Sequence, residues 1–562
     1  MSHRFRPRSF ALLSSLVLLC GCTSVDGSIE LPSPAPSIAQ LQILAINDLH
    51  GNLDPPDGAN GRWLDMPVGG VEYLATHLNT LRAGAPNTIV LSGGDNIGGS
   101  PMLSALFHDE PTIEALSALG LDFSAVGNHE FDEGWPELER IQRGGCRTTT
   151  GCQVGGEFQG ARFTYLSTNV QIDDRRDTLF PATAMRTIDG IRVGVIGLAL
   201  QTTPDLVSPA AVRGLTFLPA GPVASTAARQ LRAQGADVVV AMIHEGGFLA
   251  PDDTSTSCLS MTGSLVKALA DMSREIDVVI SGHTNRSYTC RIDGRIVTST
   301  ASYGRQITDI DLTIDRITRR IVAAEARNVP VTHNVPRDPA MTTIIERYRP
   351  RAIAIGSRQV GTVSATLRRA VNESGESVMG NLVADALLEA SRSPDAGGAQ
   401  VAFINWGGVR SDLVHAGDGL ASPVTYEDAF ETLPFGNVLV VKTMSGALIA
   451  ALLEQQFQAT SPTDWRVLQP SHNLRYRWNG SRPAGSRIDR SSITIDGVPL
   501  RLDTSYRVAM TDFVWDGGDG FTSATAASDA VVVAPALDVL IDYLGRHSPL
   551  APAPLGRITR DR

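Results

Sequence analysis

The chain has no block of basic residues beyond its extreme N-terminus, and its 562 residues carry a formal net charge of −11. That argues against a surface built to neutralise a nucleic-acid polymer, although a small anion can still enter a locally positive cleft. Long apolar runs are scarce too: the N-terminal stretch Ala11–Leu19 is too short for a stable membrane span. There are six cysteines, none in the two-residue spacing that zinc–thiolate sites use. No internal repeat makes the second half a copy of the first. What remains is an ordinary globular composition, 43% apolar, in a chain too long for one core, so two large domains are expected.

Arg4, Arg6 and Arg8 ahead of Ala11–Leu19 read as an export signal. The run ends in Leu19-Cys20-Gly21-Cys22, which resembles the lipobox of bacterial lipoproteins. The resemblance implies cleavage before Cys22 and a lipid on its thiol, with 1–22 as signal and 23–39, rich in Ser and Pro, as a tether. The alternative is a soluble secreted protein cut by the ordinary signal peptidase. Four cysteines are left over, Cys146, Cys152, Cys258 and Cys290, and an even count in an exported chain suggests disulfides. Three connectivities are open. The short Thr-rich loop between Cys146 and Cys152 favours that pair, leaving Cys258 for Cys290.

Five apolar runs each end in residues that bind metals. Leu41–Ile46 leads to Asn47-Asp48-Leu49-His50, Thr88–Leu91 to Gly93-Gly94-Asp95-Asn96, and Phe123–Val126 to Gly127-Asn128-His129-Glu130. Val238–Ile243 leads to His244-Glu245, and Ile276–Ile280 to Ser281-Gly282-His283-Thr284-Asn285. Short β-branched runs read as buried strands, and ligands of open α/β sheets sit at the carboxyl ends of such strands. Asp, Asn and His are thus delivered repeatedly to one sheet edge, and a metal centre follows. Helical stretches such as Gly70–Ala83 and Pro111–Leu119 alternate with these strands, which indicates an α/β layered domain. Asp311–Arg327 reads as a closing strand pair, and Asp338–Ile355 as a connector helix opened by Asp338-Pro339. A second domain starts near Val360, with helices at Gly380–Ser391 and Ser445–Phe457 and strands at Gln400–Ile404 and Tyr506–Met510. Asp496-Gly497 is a hairpin signal. The cluster Trp515–Gly520 reads as a tight turn, and the Pro-rich tail from Ser548 is expected to fray.

The chemistry follows from the donor types. Asp95 has two oxygens and can bridge two cations. Asp48 and His50 complete one position; Asn128, His244 and His283 complete the other. A mixed N/O set without sulfur suits Mn²⁺, Zn²⁺, Fe or Co²⁺ better than Ca²⁺. Two such ions about 4 Å apart serve phosphoryl transfer to water. His129 would sit beside the metals and act on the phosphoryl group, with Asp132 orienting its ring. Glu130 and Glu245 read as structural groups.

Asn-Asp-Leu-His, Gly-Gly-Asp-Asn, Gly-Asn-His-Glu-Phe-Asp, the strand-end His244 and Gly-His-Thr-Asn together resemble the calcineurin-like metallophosphatases, and more closely the 5′-nucleotidase and UDP-sugar hydrolase family. The C-terminal half agrees. Ser374-Gly375-Glu376-Ser377 with Met379–Leu382, Asn405-Trp406-Gly407-Gly408-Val409-Arg410, Leu433–Asn437, and Asp512-Phe513 with Gly517–Phe521 resemble the four signatures of the family's C-terminal domain. Phe435 and Phe513 could sandwich a planar base, Asp519 could accept from ribose hydroxyls, and Arg410 offers a fork for phosphate or sugar oxygens. The resemblance places Asn405 near the base or phosphate, and implies a domain rotation about the connector. The chain departs from many relatives at Asn285, where they have a second His, and at Glu373, where some have Arg. Asn285 could ligate through its oxygen, and Arg369 is the nearby substitute for the missing Arg.

The resemblance implies an α/β chain with a four-layer αββα metallophosphatase domain at 40–335, a helical connector at 336–358 and an α/β nucleotide-binding domain at 359–550. It implies two divalent metals, Mn²⁺, Zn²⁺ or Co²⁺, held by Asp48, His50, Asp95, Asn128, His244, His283 and Asn285. Catalysis falls to His129 and Asp132. Substrate contacts fall to Asn128, Arg369, Asn405, Arg410, Phe435, Phe513 and Asp519. The expected activity is hydrolysis of nucleoside 5′-monophosphates by a cell-envelope lipoprotein, periplasmic or on the outer membrane, anchored through Cys22 and monomeric or dimeric. The alternatives on the same site are a UDP-sugar or nucleotide diphosphohydrolase and a 2′,3′-cyclic nucleotide phosphodiesterase. A sulfur-ester hydrolase is disfavoured by the intact pair of Phe rings. Outside enzymes, the alternative is a nucleotide-binding lipoprotein.

Overall fold

The computed structural model describes residues 37–561, apart from 57, 176, 251, 252, 254, 418, 420 and 459–464. The stretch read as an export signal, Cys22, and most of the segment read as a tether lie outside the described residues. The first strand, Ile38–Ile46, begins inside the segment read as tether. Among the described residues no helix is long and apolar enough to cross a membrane.

Residues 38–330 build two six-stranded sheets packed face to face. The first runs Arg320–Pro330, Gln306–Asp315, Ile38–Ile46, Thr88–Ser92, Phe123–Ala125, Thr164–Leu166; the second runs Ser287–Ile292, Arg295–Thr300, Val278–Ser281, Val238–Ile243, Ile191–Leu198, Thr183–Ile188. The period-two pattern of each strand explains the layering. Leu41, Ile43 and Ala45 meet Val238, Val240 and Met242 between the sheets. The alternate residues Leu44 and Ile46 face the helix Val71–Ala83, which buries Val71, Leu74, Ala75 and Leu78 at helical spacing. On the far side Val239, Ala241 and Ile243 face helices Ala220–Ala233 and Ser264–Asp271. The result is four layers, αββα. It also corrects the reading of a single sheet edge: three of the five metal-bearing strands lie in the first sheet and two in the second. A strand that is covered on both faces is apolar throughout, so its sequence does not say which sheet it joins.

The C-terminal half is a five-stranded sheet, Leu468–Pro470, Val401–Asn405, Ser505–Thr511, Val438–Ser445, Ser528–Pro535, with helices Val378–Ser391 and Ala536–His547 on one face. The other face carries the helix Gly446–Gln455 and a four-stranded sheet. Asp496 and Gly497, at φ 50 and 76, turn the hairpin between Ile488–Ile495 and Val498–Pro499. The connector helix Pro339–Gly356 is capped by the Asp338 side chain, and it packs Met341, Ile345 and Tyr348 into the N-terminal core instead of standing free. The tail is not frayed. Ile558–Asp561 pairs with Leu474–Asn479, and buried Arg557 forks onto Asp385 at 2.9 and 2.7 Å.

Candidate metal centre and substrate cleft

Where the strands end, the chain turns at once. Asp48, His50, Asp95 and His283 have φ of 51, 47, 51 and 72°, a left-handed region that costs an L-residue roughly 1–3 kcal/mol. The sandwich core that over-determines these turns is large, and each fully buried Leu or Ile in it contributes roughly 1.5–3 kcal/mol. The glycines of the motifs have a steric reason. A Cβ on Gly127 would lie 2.1 Å from Asp95 Oδ1, and one on Gly94, at φ +89, would lie 2.7 Å from the Gly127 nitrogen. The Asp95 and Asn128 loops therefore touch backbone to backbone. Buried Glu130 ties them by accepting from the N–H groups of Asp95 (2.9 Å), Asn96 (2.8 Å) and Gly127 (2.7 Å).

Two groups of donors converge, His50–Asp95–His129 and Asp95–His244–His283, each with its atoms within 4.8 Å of one another. Asp95 is common to both. His50 Nδ1 lies 2.9 Å from the Gly98 carbonyl and His244 Nδ1 lies 2.8 Å from that of Gly93. A carbonyl only accepts, so each Nδ1 carries the hydrogen and each Nε2 presents a lone pair. Those lone pairs face carboxylates: His244 Nε2 is 2.9 Å from Asp95 Oδ2, and His50 Nε2 is 3.7 Å from the same oxygen. His244 Nε2 is buried and has no aligned hydrogen-bond partner. Acceptor facing acceptor in a buried pocket requires a cation or a proton between them, so the residues present fit divalent metals. Asp48 is 3.9 Å from His50 Nε2 and accepts the His283 N–H at 3.0 and 3.1 Å, while His283 Nδ1 lies 3.1 Å from Asn128 Oδ1.

The metal-free electrostatics are correspondingly lopsided. Burial pushes His50 and His283 down to about 3 and Asp48 up to about 7. For His244 burial acts downward, but Asp95 overcomes it and raises the ring to about 10. Below that pH the metal-free centre carries a proton where a metal would bind, and ligation needs the neutral imidazole. Adding Mn²⁺ to metal-free protein at pH 8 in weak buffer is therefore expected to release about one proton per His244. A pH-indicator dye measures it, and a silent titration with tight binding would contradict the assignment. The linkage sign for the metal-free fold is the ordinary one for a raised histidine. Its stabilisation is complete below the unfolded value near 6.5 and is lost as pH rises through about 10.

Beside this centre His129 Nδ1 lies 2.8 Å from Asp132 Oδ2, and its backbone N–H donates to Asp95 Oδ1 at 2.9 Å. Burial acts to lower His129, and Asp132 and Asp95 outweigh it and raise the ring. The Phe435 ring stacks over it at 5.9 Å and 15°, with the Arg410 guanidinium 5.6 Å from Phe435. A cleft of about 870 Å³ opens here, lined by Asn128, His129, His283, Arg410, Phe435 and Phe513, among others, and by Asn405 and Asp519. Asn405 Nδ2 donates to Asp519 Oδ2 at 2.8 Å. Asp512 Oδ1 accepts from Asn437 Nδ2 (3.2 Å), Val438 N (3.0 Å) and Phe513 N (2.9 Å), so one carboxylate couples the loops that carry both Phe rings.

A family model of the calcineurin-like phosphoesterases matches residues 41–287, and one for the 5′-nucleotidase C-terminal domain matches 358–526. The chain belongs to the calcineurin-like phosphoesterases that carry a 5′-nucleotidase C-terminal domain. "Endonuclease YhcR" of Bacillus subtilis is 27% identical over 482 residues, 84% of this chain but 37% of that protein, so the chain spans little more than a third of that relative's length. "Cell wall protein Lmo0130" of Listeria monocytogenes is 28% identical over 538 residues, 90% of this chain and 67% of that one. The crystal structure of a 5′-nucleotidase precursor from Thermus thermophilus is similar over 93% of this chain and 99% of its own, with a TM-score of 0.76 at 26% identity. Family and donor set agree on the fold of a metal-dependent phosphoesterase.

In this phosphoesterase Asp48, His50, Asp95, Asn128, His244 and His283 converge from five strand ends of two sheets. Asn285 sits apart: it is exposed, at φ 56, with no hydrogen bond to the cluster. His129 joins the His50–Asp95 group as a third nitrogen within ligand reach, closer to the metal position than the reading beside it suggests. Arg369 is outside the cleft lining. Its Nε donates to the Val409 carbonyl at 3.0 Å and its guanidinium lies 4.5 Å from the Trp406 ring, while burial and Arg410 push it down to about 10. Sequence reasoning missed Asn47, whose Nδ2 donates to Asp48 Oδ2 at 2.6 Å and whose Oδ1 accepts from Thr300 N and Oγ1. It also missed Asp512. Both disulfides form as paired above.

Proposed function

We propose that the chain is an exported phosphohydrolase that cleaves nucleoside 5′-monophosphates to nucleoside and phosphate, using two divalent cations. The observation that carries it is Asp95 shared by two donor groups at the mouth of a cleft with two Phe rings. Asp48, His50 and Asp95 would hold one cation; Asp95, Asn128, His244 and His283 the other. Bound there, the cations would supply Lewis acidity to the phosphoryl oxygens and the attacking water. The remaining work belongs to side chains. Phe435 and Phe513 flank the base. Asp519, fixed by Asn405, accepts from the ribose hydroxyls. Arg410 takes a phosphoryl oxygen with its guanidinium. His129, with Asp132 on Nδ1, keeps Nε2 to protonate the leaving 5′-oxygen. Arg369 stands behind Arg410 and adds positive potential.

The test is phosphate release from AMP, UMP, ATP, UDP-glucose and 2′,3′-cyclic AMP with Mn²⁺, Zn²⁺, Co²⁺ or a chelator. Metal-dependent turnover is expected to be fastest on a monophosphate. A faster diphosphate or cyclic substrate would keep the site and change the ester, and nucleotide binding without turnover would refute the enzyme. Stacking makes a separate prediction. Phe513→Ala is expected to raise KM for AMP roughly 5- to 150-fold, the equivalent of about 1–3 kcal/mol per stacked base, with a smaller change in kcat. Export rests on Arg4, Arg6, Arg8 and the run to Cys22. Incorporation of labelled fatty acid in cells, abolished by Cys22→Ser, is the outcome expected of the lipoprotein.

A further inference from the structure

The Cys146–Cys152 loop lies outside the cleft, yet bonded contacts lead from it to the metal edge. Arg147 Nη1 forms an ion pair with Glu133 Oε2 at 2.7 Å and lies 2.5 Å from His108 Nδ1, which itself lies 3.3 Å from Glu133 Oε1. These two partners belong to different segments, and each segment holds one catalytic ring. His108 precedes Asp109, whose Oδ2 accepts the Gly98 N–H at 3.2 Å, and the Gly98 carbonyl holds His50 Nδ1 at 2.9 Å. Glu133 follows Asp132, which holds His129 Nδ1 at 2.8 Å. Gly98, at φ +82, closes the circuit: a Cβ there would lie 2.3 Å from the His129 carbonyl and 2.7 Å from Asp132 Oδ2. The two rings at the end of these paths are 5.0 Å apart and share Asp95. The loop that presents Arg147 is itself fixed. It is closed by the disulfide and a bridge between Arg147 and Gly151, and Arg140 Nη1 donates to the Gly145 carbonyl at 2.7 Å.

We infer that Arg147 is a positioning residue that clamps the His108–Asp109 and Asp132–Glu133 segments together, and so sets the spacing of His50 and His129 across Asp95. Arg147 also turns its Nε to Glu137 Oε2 at 3.4 Å, so two nitrogens of one plane are held in different directions at once, which a single ammonium on a flexible stem cannot reproduce. Charge alone is therefore not enough, and lysine does not substitute. The effect falls on the rate and on the metal, because displacements of about 1 Å at reacting groups cost as much as 100-fold while leaving the nucleotide's own contacts in place. The activity arm rests on the phosphohydrolase reading above; the metal arm does not.

The experiment compares Arg147→Ala and Arg147→Lys with the wild-type full chain, disulfides intact. It reads kcat and KM for AMP, melting temperature, and Mn²⁺ affinity by competition with a chelating dye. Both variants are expected to lose about 10-fold in kcat with KM within about 3-fold. Mn²⁺ binding weakens in both, and the melting temperature falls by no more than about 4 °C, as for the loss of half-buried ion pairs with the disulfide intact. Combined with Asp132→Asn, the loss is smaller than the product of the single losses, since both act through one ring. The inference is overturned if kcat and Mn²⁺ affinity of Arg147→Ala stay within about 2-fold of wild type, or if the two losses simply multiply. Should the wild type turn over no substrate in the panel, the phosphohydrolase reading fails and the Mn²⁺ affinity alone decides the role of Arg147.

Discussion

Asp95→Asn is expected to lower phosphate release by at least ~1000-fold, about 4 kcal/mol of transition-state stabilisation. Asp95 is the one carboxylate common to both donor groups, so the substitution weakens both metal positions at once. Asparagine keeps the shape, and its side-chain oxygen can still accept the His129 N–H that now reaches Asp95 Oδ1. The loss would thus be electrostatic, not conformational. Stability separates this from unfolding. In the metal-free protein the buried Asp95 charge helps to push Asp48 and Glu130 up to about 7 each, after burial itself. Removing that charge relieves this repulsion but also withdraws the partner that raises His244, so the metal-free variant should melt below metal-free wild type where His244 is charged and approach it as pH nears 10. What it loses besides is the gain from ligand: a metal at 100 times its Kd adds about 2.7 kcal/mol to the native state. Calorimetry with and without Mn²⁺ checks both halves. A metal-induced rise of equal size in wild type and variant would refute the bridging role of Asp95.

How far the sequence carries depends on whether a contact leaves a local pattern. The strand ends do, because an apolar run stopped by Asp, Asn or His shows both the buried strand and its polar terminus in a few residues. So the convergence of Asp48, Asp95, Asn128, His244 and His283 is legible, and that of His50 and His129 follows from their neighbours. The division of those strands between two sheets leaves no such mark. Neither does Glu130 caring for three N–H groups, Asn47 steering Asp48 from Thr300, or Asp512 coupling the Phe435 and Phe513 loops. These are side chains serving backbone groups that lie far away in sequence, and their residue types are ordinary. The tail misled for a related reason. Its prolines suggest disorder, but the parallel pairing of Ile558–Asp561 and the Arg557–Asp385 fork depend on partners some 80 to 170 residues earlier. Asn285 shows the opposite failure. Its place in a motif suggests a ligand, while the backbone carries it to the exposed side of the turn after His283.

His129→Gln is the second large effect. The expected loss is about 100- to 10,000-fold in kcat, the range of a lost general acid, with KM changed only a few-fold. His129 is the sole imidazole of the cluster whose ring is held by a carboxylate at Nδ1 instead of a backbone carbonyl, 2.8 Å from Asp132. A backbone carbonyl on Nδ1 turns Nε2 towards the metal position, as at His50 and His244; the Asp132 carboxylate on Nδ1 of His129 leaves Nε2 to carry a proton, and with Asp95 it raises the ring against the opposing effect of burial. That difference suits His129 to delivering a proton. It also fixes the sign of the pH dependence. An acid that must be protonated gives a kcat that falls as pH rises through its pKa, and Asp132→Asn, by withdrawing the group that raises it, should move that limb to lower pH. The measurement is kcat for AMP against pH at saturating metal for wild type, His129→Gln and Asp132→Asn. A limb that stays in place in Asp132→Asn, or a His129→Gln enzyme that loses affinity for substrate but keeps its rate, would remove His129 from proton transfer and leave it as a third nitrogen of the His50–Asp95 metal position.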